Sequence, residues 1–172
     1  MDRLTGNDFV ISRVFDAPRQ IVWTCFTDPE HLKQWWGPKG FKVLQAKLDL
    51  RAGGSYHYGM QAPDGQEMWG KFVYRDVTPP GRLVFINSFS DPEGGITRHP
   101  GAEDWPLEML STFSFDELPD AKTMFTVRWA PHNASDAERK VFDDNRPSMT
   151  AGWNGTMEQL EAYLPKVRRE AA

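Results

Sequence analysis

Asn87 stands between Phe85 and Phe89 in the run "LVFINSFS", and Tyr56, Tyr58 and Tyr74 alternate with other residues in the two apolar runs before it. An amide and phenol hydroxyls set among aromatic residues need partners when buried. An apolar pocket with a few fixed polar groups is the usual form of a small-molecule site. This chemistry suits hydrogen bonding to a carbonyl or hydroxyl group better than proton abstraction. Acid–base catalysis would call for a carboxylate or histidine deep in such a pocket. Glu108 is the best-placed carboxylate, because it opens the apolar strand of "WPLEML"; a strand-end surface charge is its simpler explanation. His99, in "TRHPG" beside Arg98, is the histidine best placed to touch a ligand at a cavity mouth.

The other histidines offer less. His31 falls on the polar face of a short helical run, where solvent is its expected neighbour. His57 alternates with Tyr56 and Tyr58 and so faces outward. His132 has no partner in the pattern. None of the four pairs at i, i+4 or with a cysteine cluster, so no metal site is expected. "AGGS" at 52–55 is a turn before a strand, with no helix after it to hold a phosphate, and GxSxG is absent. No cofactor is called for.

Strand parity collects the remaining candidates. Tyr56, Tyr58 and Met60 share one face of their strand; Met68, Gly70, Phe72 and Tyr74 share one of the next; Phe85, Asn87 and Phe89 follow, then Phe125, Val127 and Trp129. Trp36, Trp153 and Met157 join them from helical segments, and His99 and Trp105 from a long loop. Most members of such a set are ordinary core.

The elements that must position these residues can be read from the same pattern. Asp8–Phe15 ("DFVISRVF") reads as a strand. Asp16 offers a cap and Pro18 a first turn for a short helix through "RQIVWTCFT"; Asp28-Pro29-Glu30 opens a second short helix that Gly37-Pro38 ends. From Phe41 to Trp129 the chain reads as successive strands with short connections, which favour antiparallel neighbours. Pro63-Asp64-Gly65 is hairpin chemistry. With the first strand the count is about seven, near the size at which sheets curl. The stretch 91–106 is the one long loop, of the length that lids and binding loops take. Ser135 and Glu138 form a capping box. Met149, Trp153, Met157 (or Thr156), Leu160 and Leu164 then mark one face of a long helix ending at Pro165. Gly152 and Gly155 inside it suggest a close backbone approach or space beside a ligand.

Composition bounds the class. A chain of 172 residues suits one domain, 1–172 with a core at about 8–165. The net charge is −4 with acids and bases interspersed, which argues against nucleic-acid binding. One cysteine excludes an internal disulfide, and no apolar run approaches the roughly 18 residues of a membrane span. The opening "MDRLTGNDFVISR" lacks the apolar core of a secretion signal, so a cytoplasmic protein is expected. Aromatic residues reach 13%, including 7 Trp and 11 Phe, and this richness points to a large apolar interior, a cavity or an apolar partner surface. Trp69, alternating outward beside Glu67 and Lys71, needs cover from a homodimer partner or from a loop.

The order of these pieces, with "FDAPRQIVWTCFTDPEHLKQWWGP" near the start and "GWNGTMEQLEAYL" near the end, resembles the START-like helix-grip superfamily. More narrowly it resembles the family related to the C-terminal domain of the activator of Hsp90 ATPase; "LDLRAGGSYHYGM", "PDGQEMWGKFVYRDVTPPGRLVF" and "STFSFDEL…KTMFTVRW" carry that likeness. The resemblance implies an α+β helix-grip (Bet v 1-like) fold, a curved antiparallel sheet of six or seven strands around a long C-terminal helix. Two short helices follow the first strand, and a cavity lies beneath the long helix. Relatives carry lipids, bind hydrophobic small molecules, cyclise polyketides or bind a chaperone, and fold alone does not select among these. The co-chaperone members have a separate N-terminal domain that these residues do not contain, so direct stimulation of Hsp90 is not expected. The leading expectation is a binding protein for an apolar or aromatic small molecule, with a stress-related role. A cyclase- or hydrolase-like enzyme and a chaperone-interacting protein are the alternatives. Adjacent residues of a helix point about 100° apart, so Trp35 and Trp36 are expected to differ: Trp36 toward the cavity, Trp35 against the neighbouring short helix or loop.

Overall fold

A computed structural model describes residues 8–171; the expectation drawn from residues 1–7 lies outside that range. The first strand, β1 (Phe9–Phe15), leads to two short helices, α1 (Arg19–Thr27) and α2 (Pro29–Trp35). Five strands follow: β2 (Lys42–Leu48), β3 (Ser55–Gln61), β4 (Glu67–Thr78), β5 (Arg82–Ser90) and the two-residue β6 (Ile96–Thr97). The chain continues through β7 (Glu108–Leu118), β8 (Lys122–His132), α3 (Asp136–Asp144) and the long α4 (Arg146–Ala171). The order across the curved sheet is β1-β8-β7-β5-β4-β3-β2, with β6 added beside the end of β5. Every pairing is antiparallel. The helix-grip architecture read from the sequence is the observed one; β6 is the strand that the pattern did not show, because two residues carry no periodicity.

The inner face is built in rows. Tyr56, Phe72, Asn87 and Met109 are register partners from strand to strand, and Tyr74, Phe85, Ser111 and Trp129 form the next row. Period-2 alternation makes these rows apolar, and α1, α2 and α4 cover them. Phe26 of α1 stacks on Phe125 at 4.6 Å and meets Trp35, Phe113 and Phe115 edge-on at 4.8–5.4 Å. Such pairs add about 0.5–1.5 kcal/mol each beyond area burial.

Several local expectations are corrected. Pro18, not Asp16, occupies the N-cap position of α1, and its carbonyl accepts from Ile21 and Val22. The Asp16 carboxylate instead faces Arg168 at 3.5 Å and Lys122 at 3.9 Å. Asp28 does cap α2, accepting from the Glu30 amide at 2.9 Å. The long helix does not stop at Pro165. It runs to Ala171, because Leu164 and Val167 on either side are both buried and Arg168 donates to the Asp16 carbonyl at 3.0 Å. That anchoring offsets the roughly 3 kcal/mol cost of an internal proline.

The two outer-face histidine readings also change. His31 is half-buried and partnered: its Nδ1 lies 2.7 Å from the Tyr163 hydroxyl of α4. His57 does point away from the tyrosines, yet it is buried, because the 91–95 segment folds over it. Gln45 donates to its Nδ1 at 2.8 Å and its Nε2–H donates to the Asp91 carbonyl at 3.1 Å. Trp69 lies beside that ring at 5.4 Å, covers Gly59, and donates to Glu67 at 2.8 Å. Its cover comes from within the chain, so this ring supplies no argument for a second copy.

Candidate functional site

The two tryptophans at the end of α2 part company. Trp35 is buried against Phe26 and donates its indole N–H to the Cys25 carbonyl at 3.0 Å. Trp36 is the C-cap residue, already extended, and turns under the sheet to meet Tyr56, Tyr58, Phe72 and Trp153 edge-on at 5.5–6.3 Å. Gly37 follows with φ +99°; a side chain there would be strained and its Cβ would strike the Met60 sulfur. Glycine therefore sets the chain's exit from beneath the sheet.

Beyond Trp36 the inner face and α4 do not close. A hollow of about 440 Å³ remains between the sheet, α4 and the long loop. That volume lies within the range of small-molecule pockets. Its walls are Trp36, Gly37 and Pro38; Tyr58, Met60, Met68 and Phe72 from β3 and β4; Asn87, Ser88 and Phe89 from β5; and Met109, Phe113 and Trp129 from β7 and β8. Asn145, Ser148, Met149, Gly152, Trp153 and Thr156 close the helix side, and His99, Ala102, Trp105 and Pro106 the loop side. Gly70, the register partner of Tyr58, leaves room for that ring: a Cβ on it would collide with the phenol.

Of the candidates named from the sequence, Trp36, Tyr58, Met60, Phe72, Asn87, Phe89, His99, Trp105 and Trp153 border the hollow. Tyr56, Tyr74, Phe85 and Met157 lie in the packed core behind it. Glu108 alternates onto the other face from Met109 and is half-buried opposite His132, so the wall contains Met109 in its place. Met109 and Phe113 escaped attention although the alternation of "EMLSTFSF" carried the signal; Ser148 carried none, since a polar residue on a helix reads as surface, whereas Thr156, the alternative to Met157 in the helical spacing, does border the hollow.

The loop side is tethered. Glu138 completes its capping box with Ser135 and also takes the Arg98 guanidinium as an ion pair and the Leu107 amide at 3.4 Å. Trp105 packs on Phe142 of α3 at 6.0 Å. Hydrogen bonds from the Ser135 amide and from Arg98 hold the Glu138 carboxyl down at about 2. His99 lies tilted against Phe89 at 4.6 Å and is 6.1 Å from Trp105. Its Nδ1 accepts from the Gly101 amide at 2.8 Å, which leaves the proton on Nε2. Burial lowers its pKa.

The polar groups of the wall are neutral. Among the described residues no carboxylate, lysine or arginine lines the hollow. The Asn87 Oδ1 is occupied by the Ser111 hydroxyl, so its NH₂ is the end left to give. Burial pushes the Tyr58 and Tyr74 phenols up, so they stay protonated. Cys25, outside the wall, is pushed up to about 12 by burial and by Asp28, and is a small apolar residue. Among the described residues no group of three His, Cys, Asp or Glu side chains could hold a metal ion.

Comparison with known proteins now bears on this geometry. Among curated proteins no relative matches the chain. Solved structures that share the fold include a protein from Arthrobacter aurescens, 25% identical, with a TM-score of 0.75 over 96% of this chain and 90% of that one. A protein from Mycobacterium smegmatis is 25% identical, with a TM-score of 0.74 over 95% and 94% of the two chains. The AHSA1 protein from Silicibacter pomeroyi shares the fold at 21% identity, TM-score 0.70, over 92% and 97%. The model of one family, described as Activator of Hsp90 ATPase homolog 1-like protein, matches residues 16–165, from the end of β1 to Pro165. The chain belongs to the Activator of Hsp90 ATPase homolog 1-like protein family.

Proposed function

We propose that this protein binds a small apolar or aromatic molecule in the hollow beneath α4. The observation that carries this reading is the hollow itself: about 440 Å³ left open in a domain whose remaining core is tightly packed with aromatic rings. Protein interiors pack to crystal-like density, so an open, aromatic-walled space of this size calls for an occupant. Among the described residues the wall supplies neutral hydrogen-bonding groups and no carboxylate, which suits holding a molecule better than moving its protons. The 98–107 arm, pinned by Glu138, acts as the cover, and Trp36 as the floor.

Tryptophan emission and melting temperature test the reading together. A panel of lipids, polycyclic aromatics and aromatic acids is titrated into the protein. Binding at 100 times Kd raises the unfolding free energy by about 2.7 kcal/mol, a shift of several degrees. A panel that moves neither signal removes the proposal. The family description supports a second reading, association with an Hsp90-type chaperone. A pulldown with the chaperone in its nucleotide-free and ATP-bound forms tests it, and no retention in either form rejects it.

A further inference from the structure

One polar side chain of the wall is both deeply buried and open to a ligand. Thr156, on α4, is more than nine-tenths buried and borders the hollow. Among the described residues its hydroxyl has no hydrogen-bond partner, yet its oxygen keeps accessible surface. A helical threonine commonly turns its hydroxyl back to the carbonyl one turn earlier. Thr24 and Thr27 of α1 do so, donating to the Gln20 and Trp23 carbonyls at 2.9 and 2.8 Å. Thr156 makes no such bond to Gly152, four residues before it. Side chains on a helix lean over the preceding turn. There Gly152 also borders the hollow, and a Cβ added to it would meet nothing within 4 Å. The Thr156 hydroxyl therefore faces unfilled space. The indole nitrogens of Trp36, Trp129 and Trp153 differ: they are unpartnered but sealed, beyond a ligand's reach.

A buried hydroxyl without a partner is unfavourable, and valine would fill the same shape without that cost. The polar groups around it have no single sign. Asn87 offers its NH₂, with Oδ1 taken by Ser111, whereas Asn145 offers its Oδ1, with the NH₂ given to the Val141 carbonyl. A hydroxyl can both give and accept a hydrogen bond, so a ligand hydroxyl fits Thr156 whichever way the threonine proton turns. The rings and methionines of the wall suit an aromatic body. An ionised group would lose its hydration there with no opposite charge to replace it. Building on the proposed function, we infer that Thr156 holds and selects the polar end of the ligand, and that the ligand is an uncharged aromatic molecule bearing a hydroxyl group.

Two matched probes test this on the full chain: 2-naphthol and its isostere 2-methylnaphthalene. Calorimetry gives the affinity of each for the wild type, Thr156→Val and Thr156→Ser. The quantity read is the ratio of naphthol to methylnaphthalene affinity. Comparing that ratio between variants cancels the different hydration of the two probes. Thr156→Val is expected to lower the ratio about threefold to tenfold, the range of one net hydrogen bond. Thr156→Ser, which keeps a hydroxyl, is expected to keep the ratio. Thr156→Ala, read in the same way, takes the place of the valine variant should that one fail to fold. A ratio unchanged on loss of the hydroxyl, or lost equally in Thr156→Ser, overturns the inference and leaves the binding reading intact. If neither probe binds the wild type, both fall.

Discussion

At the scale of single residues, position decides what a side chain does more than its type. Trp35 and Trp36 are neighbours, both buried, yet one donates to a carbonyl and one borders open space. Trp35→Ala should lower the unfolding free energy by about 3–5 kcal/mol, since it leaves a cavity and an unpaired Cys25 carbonyl; urea titration reads this. Trp36→Ala should instead widen the hollow and weaken binding of apolar probes, read by displacement of a fluorescent one. Glu138 shows the same dependence for charge. Its carboxyl is held at about 2 against an ordinary 4.5, so its folded pKa is depressed. The sign follows: its contribution to stability is fully present above about pH 4.5 and is lost as pH falls through about 2. Melting temperatures between pH 2 and pH 6 should therefore fall more steeply for the wild type than for Glu138→Gln, which lacks the titrating group. Parallel curves would mean that the tether does not matter.

At the scale of elements, two positions carry avoidable backbone cost, in opposite senses. Gly152 lies in the middle of α4, and an added Cβ there meets nothing within 4 Å. Gly152→Ala should stabilise by about 0.5–1 kcal/mol. Ala121, in the turn between β7 and β8, sits at φ +56°, where a Cβ is unfavourable. Ala121→Gly should stabilise by up to about 1 kcal/mol, despite the greater freedom glycine gains when unfolded. Denaturant midpoints check both; a loss of stability in either would show that packing, not backbone preference, governs the site. The loop arm is the third element with a clear lever. Arg98→Ala removes the ion pair to Glu138 and one of the links between the arm and α3. Limited proteolysis should then cut within 98–107 faster, and the off-rate of a bound probe should rise while the global melting temperature changes little.

At the scale of the whole molecule, the sheet and helices share one aromatic core that thins to a hollow at one end. The packed end centres on Phe26, Phe115 and Phe125. The other end depends on α3, the arm and Trp36 to enclose it. Stability and binding are thus expected to separate. Substitutions around Phe26 should lower the melting temperature with or without a probe, whereas those at Trp36 or Arg98 should act mainly on the stabilisation a probe confers. Among the described residues no helix is long and apolar enough to cross a membrane.

The sequence by itself determined the order of elements, the inward rows of each strand and the family. Period-2 alternation, the Asp28 and Ser135 caps and the Gly37-Pro38 break are local signals, and each follows from backbone and side-chain preferences within a few residues. Asn87, Phe72 and Trp36 could be placed on the inner face for that reason. The tertiary structure decided what those rows enclose. Whether an inward ring plugs the core, as Tyr56 and Phe85 do, or borders open space, as Tyr58 and Phe89 do, depends on how far α4 and the arm lie from that row. The burial of His57, the reach of α4 past Pro165 and the gathering of three tryptophan rings at one wall are likewise products of contacts between distant segments. No local pattern encodes them, because a residue's neighbours across a sheet or beneath a helix are chosen by packing rather than by sequence distance.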